Sequence, residues 1–188
     1  NVLVRGRDIM IMSVGRIVSH FKELSALARK YDAKVYIPSG AISGIDALKA
    51  AGFRKINKVI LTTRKNPKAF TNVEYIQEKG IRLEKIKKDT VLFSGSARDA
   101  IKFFPQNINV AGTLSIAGIG EDKTLVKIIA SPEITKNIHE IEIQSEAARI
   151  NTCTQNLLHP DNPKTSYLAV LSAIATLKQI LEPIKVGT

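Results

Sequence analysis

The fold of this chain is decided by the stretch Lys34-Val35-Tyr36-Ile37-Pro38-Ser39-Gly40-Ala41-Ile42-Ser43-Gly44 and by residues 45–51 that follow it. Residues 34–37 are mostly apolar and predict a strand, and residues 45–51 predict the start of a helix. A turn rich in Gly and Ser therefore joins the carboxyl end of a strand to the amino end of a helix. Ligands bind at that place in open α/β sheets, and helix amino ends present unpaired N–H groups to anions. A plain strand-to-helix connection is the alternative interpretation.

The residues before this stretch complete a βαβ unit. Residues 8–12 include a short apolar run, which is typical of a buried parallel strand. Apolar residues then recur at helical spacing from about residue 19 to residue 31. A strand, a helix and a second strand joined by short links predict two parallel strands.

The rest of the chain predicts a mixed block of strands and helices closed by one long helix. Strands are predicted at residues 58–63, 91–93, 125–130, 139–145 and 148–154, the last two as an antiparallel pair. Helices are predicted at residues 97–104, at residues 107–117 with an Asn as the cap, and from Thr165-Ser166 onward. Residues 69–88 and 159–163 predict loops. The closing helix carries an apolar stripe of Leu168, Leu171, Ile174, Leu177 and Leu181.

This order of elements predicts an α/β protein in two parts: a piece of a parallel α/β domain, and a mixed α+β domain inserted into it. The chain has 188 residues, enough to bury a substantial core, and no apolar run long enough to cross a bilayer. It has no signal-peptide pattern and no initiator Met, so we expect it to be part of a longer protein. The single cysteine, Cys153, excludes a disulfide framework within the chain and favours a reducing, cytoplasmic compartment.

The net charge of +11 predicts an anionic ligand, whether nucleotide, dicarboxylate or nucleic acid. Basic residues concentrate modestly at residues 79–88, which we interpret as a solvated face. Nucleic-acid binding is the less favoured alternative, because no aromatic residues alternate with the basic ones.

Three groups of residues have side chains suited to chemistry. His139, at the start of a predicted strand, is a candidate general acid or base, with an ordinary half-buried histidine as the alternative. Asn107 and Asn109 flank a helix start, where their amides suit an amide-bearing ligand or simple capping. Lys164, Thr165 and Ser166 offer a cation and two hydroxyls at a helix amino end, a combination that suits a carboxylate or a capped helix. No metal site is predicted. The only Gly-x-Gly, at Gly118 and Gly120, is interpreted as a turn.

Five blocks in order resemble the NAD(P)-dependent L-aspartate dehydrogenase family. They are Pro38-Ser39-Gly40-Ala41-Ile42-Ser43-Gly44-Ile45-Asp46-Ala47, Leu61-Thr62-Thr63-Arg64-Lys65, Phe104-Pro105-Gln106-Asn107-Ile108-Asn109-Val110-Ala111, Asn137-Ile138-His139-Glu140-Ile141 and Asn162-Pro163-Lys164-Thr165-Ser166-Tyr167-Leu168-Ala169. They run in order from residue 38 to residue 169, which makes the resemblance specific.

The resemblance implies an incomplete Rossmann domain, residues 1–40 with 164–188, joined to an α+β catalytic and dimerisation domain at residues 41–163. It implies a cytoplasmic homodimer that oxidises L-aspartate to oxaloacetate and ammonia through iminoaspartate, with NAD or NADP as the cofactor, and that feeds NAD biosynthesis.

Site residues also follow from the resemblance. His139 matches the family's catalytic histidine, and Ala41 and Asn109 match positions that contact the nicotinamide cofactor. We add Ser39 and Gly40 to the cofactor site. We assign Lys164, Thr165, Ser166 and Asn107 to the substrate.

The chain departs from the family pattern in two places. It begins after the position of the Gly-x-Gly-x-x-Gly turn that binds the pyrophosphate, so the residues that separate NAD from NADP are not in it. Residues 145–148 and Arg16 also differ from the usual residue types. One alternative is therefore an inactive binding or dimerisation module with the family fold. The other, which rests on the net charge, is a basic nucleic-acid-binding protein.

Overall fold

The computed structural model describes residues 2–105 and 108–187, with the backbone alone at residues 163 and 164. The predicted βαβ unit is confirmed: β1 (Ile9–Met10) pairs in parallel with β2 (Val35–Tyr36), and α1 (Phe21–Lys30) connects them. A 3-10 turn at Val14–Arg16 and another at Val18–His20 lead from β1 into the helix. The turn after β2 then leads into α2 (Ile45–Ala51), as predicted.

A five-stranded mixed sheet forms the centre of the protein, in the order β4-β5-β3-β6-β7. The strands are β3 (Ile56–Lys65), β4 (Thr90–Ser96), β5 (Thr124–Ala130), β6 (Asn137–Ser145) and β7 (Arg149–Asn156). β3 is parallel to β5 and antiparallel to β6, and β6 pairs antiparallel with β7 as predicted. The carboxyl end of β3 therefore lies beside the amino end of β6.

One face of this sheet is covered and the other is open. Residues alternate along β3 and β6, so that Leu61 and Ile141 are buried while Arg64 and Glu140 lie on the other face. Helices α4 (Ala97–Phe103) and α5 (Asn109–Ala117) contribute residues to the hydrophobic core on the covered face, including the fully buried Ala97, Ala100 and Leu114.

Residues 69–88 form short irregular elements, as expected, with 3-10 turns at Pro67–Phe70 and Leu83–Lys85 and one short helix, α3 (Glu74–Glu78). Phe70 and Tyr75 hold this segment against the core by packing on Phe104. The basic residues of this segment, Lys79, Arg82, Lys85, Lys87 and Lys88, are all exposed, which agrees with a solvated face.

In the last third of the chain one prediction was wrong, and the closing helix begins one or two residues later than predicted. The predicted loop at 159–163 belongs to a hairpin of β8 (Leu158–His159) and β9 (Asn162–Ser166). Thr165 and Ser166 therefore end a strand, and α6 begins at Tyr167 and ends at Leu181. The predicted apolar stripe lies on α6 and is largely exposed: Leu168 is 39% exposed and Ile174 58%, because nothing among the described residues covers that face. Periodicity shows which face of a helix is apolar, but not what covers it.

Among residues 2–105 and 108–187, no helix is both long and apolar enough to span a membrane.

Candidate functional site

A cavity of about 270 Å³ opens where the carboxyl ends of β1, β2 and β3 meet the amino ends of β6 and α5. The described residues that line it are Met12, Ser13, Val14, Pro38, Gly40, Ala41, Lys65, Asn109, Val110, Thr113, Asn137, His139, Thr165, Ser166 and Ala169. Segments far apart in the sequence meet here because the antiparallel pairing of β3 and β6 carries both to the same sheet edge.

The turn at 38–44 is held by hydrogen bonds to β7 and to α6. The Asn156 side-chain amide, on β7, donates to the Ala41 carbonyl at 2.9 Å, and both residues are buried. The Gly40 backbone N–H donates to the Ser172 hydroxyl of α6 at 3.1 Å. Ser43 bonds to Thr154 at 2.9 Å. The turn is therefore fastened to β7 and α6, so its backbone presents a defined edge to the cavity.

Asn109 links the start of α5 to the 3-10 turn at Val14–Arg16, and both line the cavity. Its side-chain oxygen accepts a hydrogen bond from the Gly15 backbone N–H at 3.1 Å. The prediction that an Asn caps α5 is wrong for Asn109, because the cap position is Ile108 and Asn109 is the first residue of the helix. α5 also lies very close to the two 3-10 turns that follow β1: a Cβ at Gly112 would lie 3.0 Å from Val18 Cγ2 and 3.2 Å from the Gly15 nitrogen.

His139 is fully enclosed on the cavity side of β6, with 1% of its surface exposed. Its Nδ1 shares a hydrogen bond of 3.1 Å with the hydroxyl of Thr63, its cross-strand partner on β3. Burial first, and then the positive charge of Lys65, lower the pKa of the imidazole from 6.5 to about 3. At neutral pH His139 is therefore an uncharged ring with one nitrogen already engaged.

Sequence reasoning missed four polar residues that line the cavity, Ser13, Lys65, Thr113 and Asn137, of which Lys65 and Asn137 lie at strand ends next to His139. Lys65 ends β3, is 8% exposed, and has its pKa lowered by burial from 10.5 to about 8. Asn137 begins β6, is equally buried, and donates a side-chain hydrogen bond to the Ser166 hydroxyl at 3.2 Å. Both lie in the quoted sequence blocks, two residues from Thr63 and His139 respectively. The period of two along a strand places them on the same sheet face.

The structure brings together most of the residues predicted for the site. His139, Gly40, Ala41, Asn109, Thr165 and Ser166 all line the cavity. Ser39 is half-buried in the same turn but does not line it. The predictions for Asn107 and for the side chain of Lys164 lie outside the described residues.

The residues present fit a nicotinamide group. The backbone at Gly40 has φ of 71°, and a Cβ built there meets no atom within 4 Å, so the space beside this turn is open. Asn109 adds an amide that can both donate and accept hydrogen bonds, which a carboxamide requires. Polar groups that converge on an apolar cleft are typical of ligand sites.

Comparison with known proteins gives a consistent result. A sequence model of the family described as "Aspartate dehydrogenase, C-terminal" matches residues 46–180. The L-aspartate dehydrogenase of Methanosarcina mazei is 48% identical over 190 residues, covering 99% of this chain and 69% of that protein. The L-aspartate dehydrogenase of Methanococcoides burtonii is 52% identical over 184 residues, covering 96% of this chain and 68% of that protein.

The fold is shared with a solved structure as well. The crystal structure of aspartate dehydrogenase from Thermotoga maritima superposes with a TM-score of 0.80 at 30% sequence identity. The match covers 99% of this chain and 71% of the Thermotoga chain.

Proposed function

This chain belongs to the aspartate dehydrogenase family, and on that premise we propose that it oxidatively deaminates L-aspartate to oxaloacetate and ammonia with a nicotinamide cofactor. The single observation that carries the proposal is the cavity, where His139 faces the same space as Asn109 and the turn at Gly40 and Ala41. The nicotinamide, when bound, accepts the hydride from the substrate Cα.

Gly40, Ala41 and Asn109 would hold the nicotinamide end of the cofactor. Asn156 and Ser172 fix the turn, and the Gly15 contact fixes Asn109, so these groups are in place before the ligand arrives. Preorganised groups lose little entropy on binding, which favours a short and reproducible distance between donor and acceptor carbons.

His139 would move the proton when water adds to the imine carbon of iminoaspartate. In the tautomer in which Nδ1–H donates to the Thr63 hydroxyl oxygen, Nε2 carries the free lone pair and is the nitrogen that can accept a proton from a water molecule. As the water oxygen bonds to the carbon of the protonated imine, the C=N π electrons move to nitrogen and one water proton passes to Nε2. Nε2 returns that proton to the amine nitrogen, the C–N bond breaks to release ammonia, and the remaining hydroxyl proton is lost to solvent as the carbonyl of oxaloacetate forms. The ring is uncharged at neutral pH, and because its pKa lies well below 7 it holds the proton only transiently before passing it to the nitrogen.

Thr165 and Ser166 would bind a substrate carboxylate. The Ser166 oxygen accepts from Asn137, and its hydroxyl hydrogen can donate to the substrate. Lys164 and Asn107 belong to this proposal on sequence grounds alone.

The wider predictions belong to the same proposal. They are the incomplete Rossmann domain at 1–40 and 164–188, the catalytic domain at 41–163, a homodimer, a cytoplasmic location, the iminoaspartate route and a role in NAD biosynthesis. The cofactor is NAD or NADP.

The test is to follow NADH or NADPH formation at 340 nm with L-aspartate, using the full-length protein. His139→Ala should reduce turnover at least about 100-fold while cofactor binding persists, because general acid–base groups contribute that much. His20→Ala is the matched control, since His20 is exposed and outside the cavity. Cofactor binding without turnover in the wild type would favour the binding-module alternative. Salt-dependent retention of DNA or RNA would favour the nucleic-acid alternative.

A further inference from the structure

We propose that Thr113 binds the carboxamide nitrogen of the nicotinamide cofactor, beside Asn109. The inference rests on the proposed function and deepens it, because it divides the recognition of one carboxamide group between two residues of α5. Thr113 is one of the polar residues of the cavity that sequence reasoning missed.

Helix α5 presents Asn109 and Thr113 to the cavity on the same face. Both residues line the cavity, and residues four positions apart are neighbours along a helix, with their Cβ atoms about 5–6 Å from each other. Asn109 is exposed, whereas Thr113 is only 5% exposed. The pair therefore leads from an exposed position on the cavity wall to a buried one.

The contact between Asn109 and Gly15 decides which end of the Asn109 amide is the oxygen. A backbone N–H can only donate, so the atom that lies 3.1 Å from the Gly15 nitrogen is the acceptor oxygen. The Asn109 side-chain nitrogen makes no hydrogen bond within residues 2–105 and 108–187. Asn109 therefore offers the cavity a donor, which suits the oxygen of a carboxamide.

The hydroxyl of Thr113 differs from three other hydroxyls on helices of this protein. Ser115, Ser172 and Thr176 each donate to a carbonyl of their own helix, three or four residues earlier, at 2.7, 2.8 and 2.9 Å. The Thr113 hydroxyl makes no such bond, and it has no hydrogen-bond partner in the part of the chain that the structure describes. Its bonding capacity is therefore left for a group that enters the cavity.

The Thr113 hydroxyl also differs from the polar atoms that are enclosed without a partner. Among the described residues these atoms are Thr124 Oγ1, Ser131 Oγ and Asn156 Oδ1, and none of the three residues lines the cavity. Thr113 Oγ1 is not one of the enclosed atoms, so it is accessible from the cavity that Thr113 lines. A ligand can reach it without any rearrangement of the protein.

The two residues are complementary to the two halves of a carboxamide. A carboxamide has one acceptor oxygen and an NH2 group that donates, and each needs a partner in a buried site. The Asn109 nitrogen would donate to the oxygen, and the lone pairs of Thr113 Oγ1 would accept from the NH2 group. Binding at both ends would hold the nicotinamide ring in one orientation, which hydride transfer requires.

The experiment compares two cofactors that differ only in this NH2 group. The 3-acetylpyridine analogue carries a methyl ketone in place of the carboxamide, so it keeps the oxygen and lacks the N–H donors. Calorimetry on the full-length protein measures the Kd of each, in the NAD or the NADP series according to which the wild type binds.

Thr113→Val removes the hydroxyl and keeps the shape of the side chain. We expect it to raise the Kd of the natural cofactor about tenfold, because a buried N–H donor of the ligand loses its acceptor. The Kd of the acetylpyridine analogue should stay within about twofold of the wild-type value, because the analogue has no donor to lose. Thr113→Ala makes the same comparison if Thr113→Val does not fold.

Three further variants separate the hydroxyl from other effects. Thr113→Ser keeps the hydroxyl and should bind both cofactors within about threefold of the wild type. Ser115→Ala removes a buried hydroxyl of the same helix outside the cavity and should change neither Kd more than about twofold. Asn109→Ala should weaken both cofactors by a similar factor, because both keep the oxygen that Asn109 would bind.

An unchanged Kd of the natural cofactor in Thr113→Val, or an equal rise for both cofactors, would overturn the inference, as would a wild type that binds neither cofactor. A wild type that shows the expected discrimination but forms no NADH or NADPH with aspartate would overturn the proposed function and leave the carboxamide site standing. A wild type that oxidises aspartate while Thr113→Val shows no discrimination would do the reverse.

Discussion

Thr63 and His139 face each other across β3 and β6, with the threonine hydroxyl 3.1 Å from His139 Nδ1 and both side chains almost completely buried. This pair determines the orientation and the hydrogen bonding of the imidazole. The hydroxyl holds one nitrogen, the strand pairing holds the ring in place, and burial keeps it uncharged at neutral pH. The pair thus converts a strand position into an oriented hydrogen-bonding group at the cavity wall.

Removing the Thr63 hydroxyl should impair turnover more than stability. Thr63→Val has nearly the same shape but leaves Nδ1 without its partner, so we expect kcat to fall about tenfold, corresponding to one lost buried hydrogen bond. Steady-state kinetics of the full-length protein measure this. Thr62→Val is the control, since Thr62 lies opposite Glu140 on the other face of the sheet. An equal loss in both variants would show that the Thr63–His139 bond has no specific role.

Acid should destabilise the fold through His139. The folded-state pKa of about 3 lies below the ordinary value of 6.5, so between these values the unfolded chain binds a proton that the folded chain does not. Stability attributable to His139 is thus present above pH 6.5 and is lost as the pH falls toward 3. The difference between the two pKa values corresponds to a contribution of His139 to the free energy of unfolding on the order of 5 kcal/mol.

Urea unfolding at pH 7 and pH 4 measures this loss. His139→Gln should lose less stability between the two pH values than the wild type. His20→Gln, which changes an exposed residue, should lose as much as the wild type. Parallel losses in all three proteins would contradict the assignment.

Gly44 should tolerate no side chain, for two separable reasons. Its φ is 87°, and a Cβ there would lie 2.9 Å from Thr152 Cγ2. Gly120 has a similar φ of 85° but nothing within 4 Å, so Gly120→Ala measures the backbone cost alone, about 1 kcal/mol. Gly44→Ala should cost about 1–2 kcal/mol more, because steric overlap in a packed site adds to the backbone cost.

Thr152→Ser provides the internal control for that comparison. It removes the Cγ2 methyl while keeping a hydroxyl that can donate to the Ser43 carbonyl, a bond of 3.4 Å in the wild type. In this background Gly44→Ala should cost no more than Gly120→Ala, as measured by urea unfolding. No recovery in the double variant would show that the methyl contact is not the cause.

Asn156 should control cofactor affinity without touching the cavity. Its amide donates to the Ala41 carbonyl at 2.9 Å, so Asn156→Ala leaves a buried carbonyl unpaired and loosens the turn. We expect the KM for the nicotinamide cofactor to rise about tenfold, since an unsatisfied buried acceptor costs about 1–3 kcal/mol. Asn151→Ala, on the exposed positions of the same strand, should leave it unchanged.

Much of the fold was predictable because the elements that matter follow local rules. The parallel pair around α1, the turn ending in α2 and the antiparallel pair β6–β7 all follow from hydrophobic periodicity and turn residues. The hairpin β8–β9 did not, because His159, Pro160 and Pro163 are residues typical of loops, and only the pairing with neighbours makes a strand there.

The candidate site was predictable only in part. The likeness to a family pointed to His139, Ala41 and Asn109, and all three line one cavity. The pattern of residues did not single out Lys65, because an exposed lysine and a buried one look identical in a sequence of +11 net charge. Nor could spacing show that Asn109 binds the Gly15 backbone, 94 residues away, in place of capping its own helix.

The sequence by itself determined most of the strands and helices, the apolar face of each, and the family that the chain resembles. Those properties depend on neighbours a few residues apart, where side-chain period and turn chemistry act. Only the tertiary structure decided that the end of β3 meets the start of β6, and so that Lys65, Asn137 and His139 share one cavity. It also lowered the pKa values of Lys65 and His139, because a pKa depends on burial and on charges brought close by folding rather than by sequence.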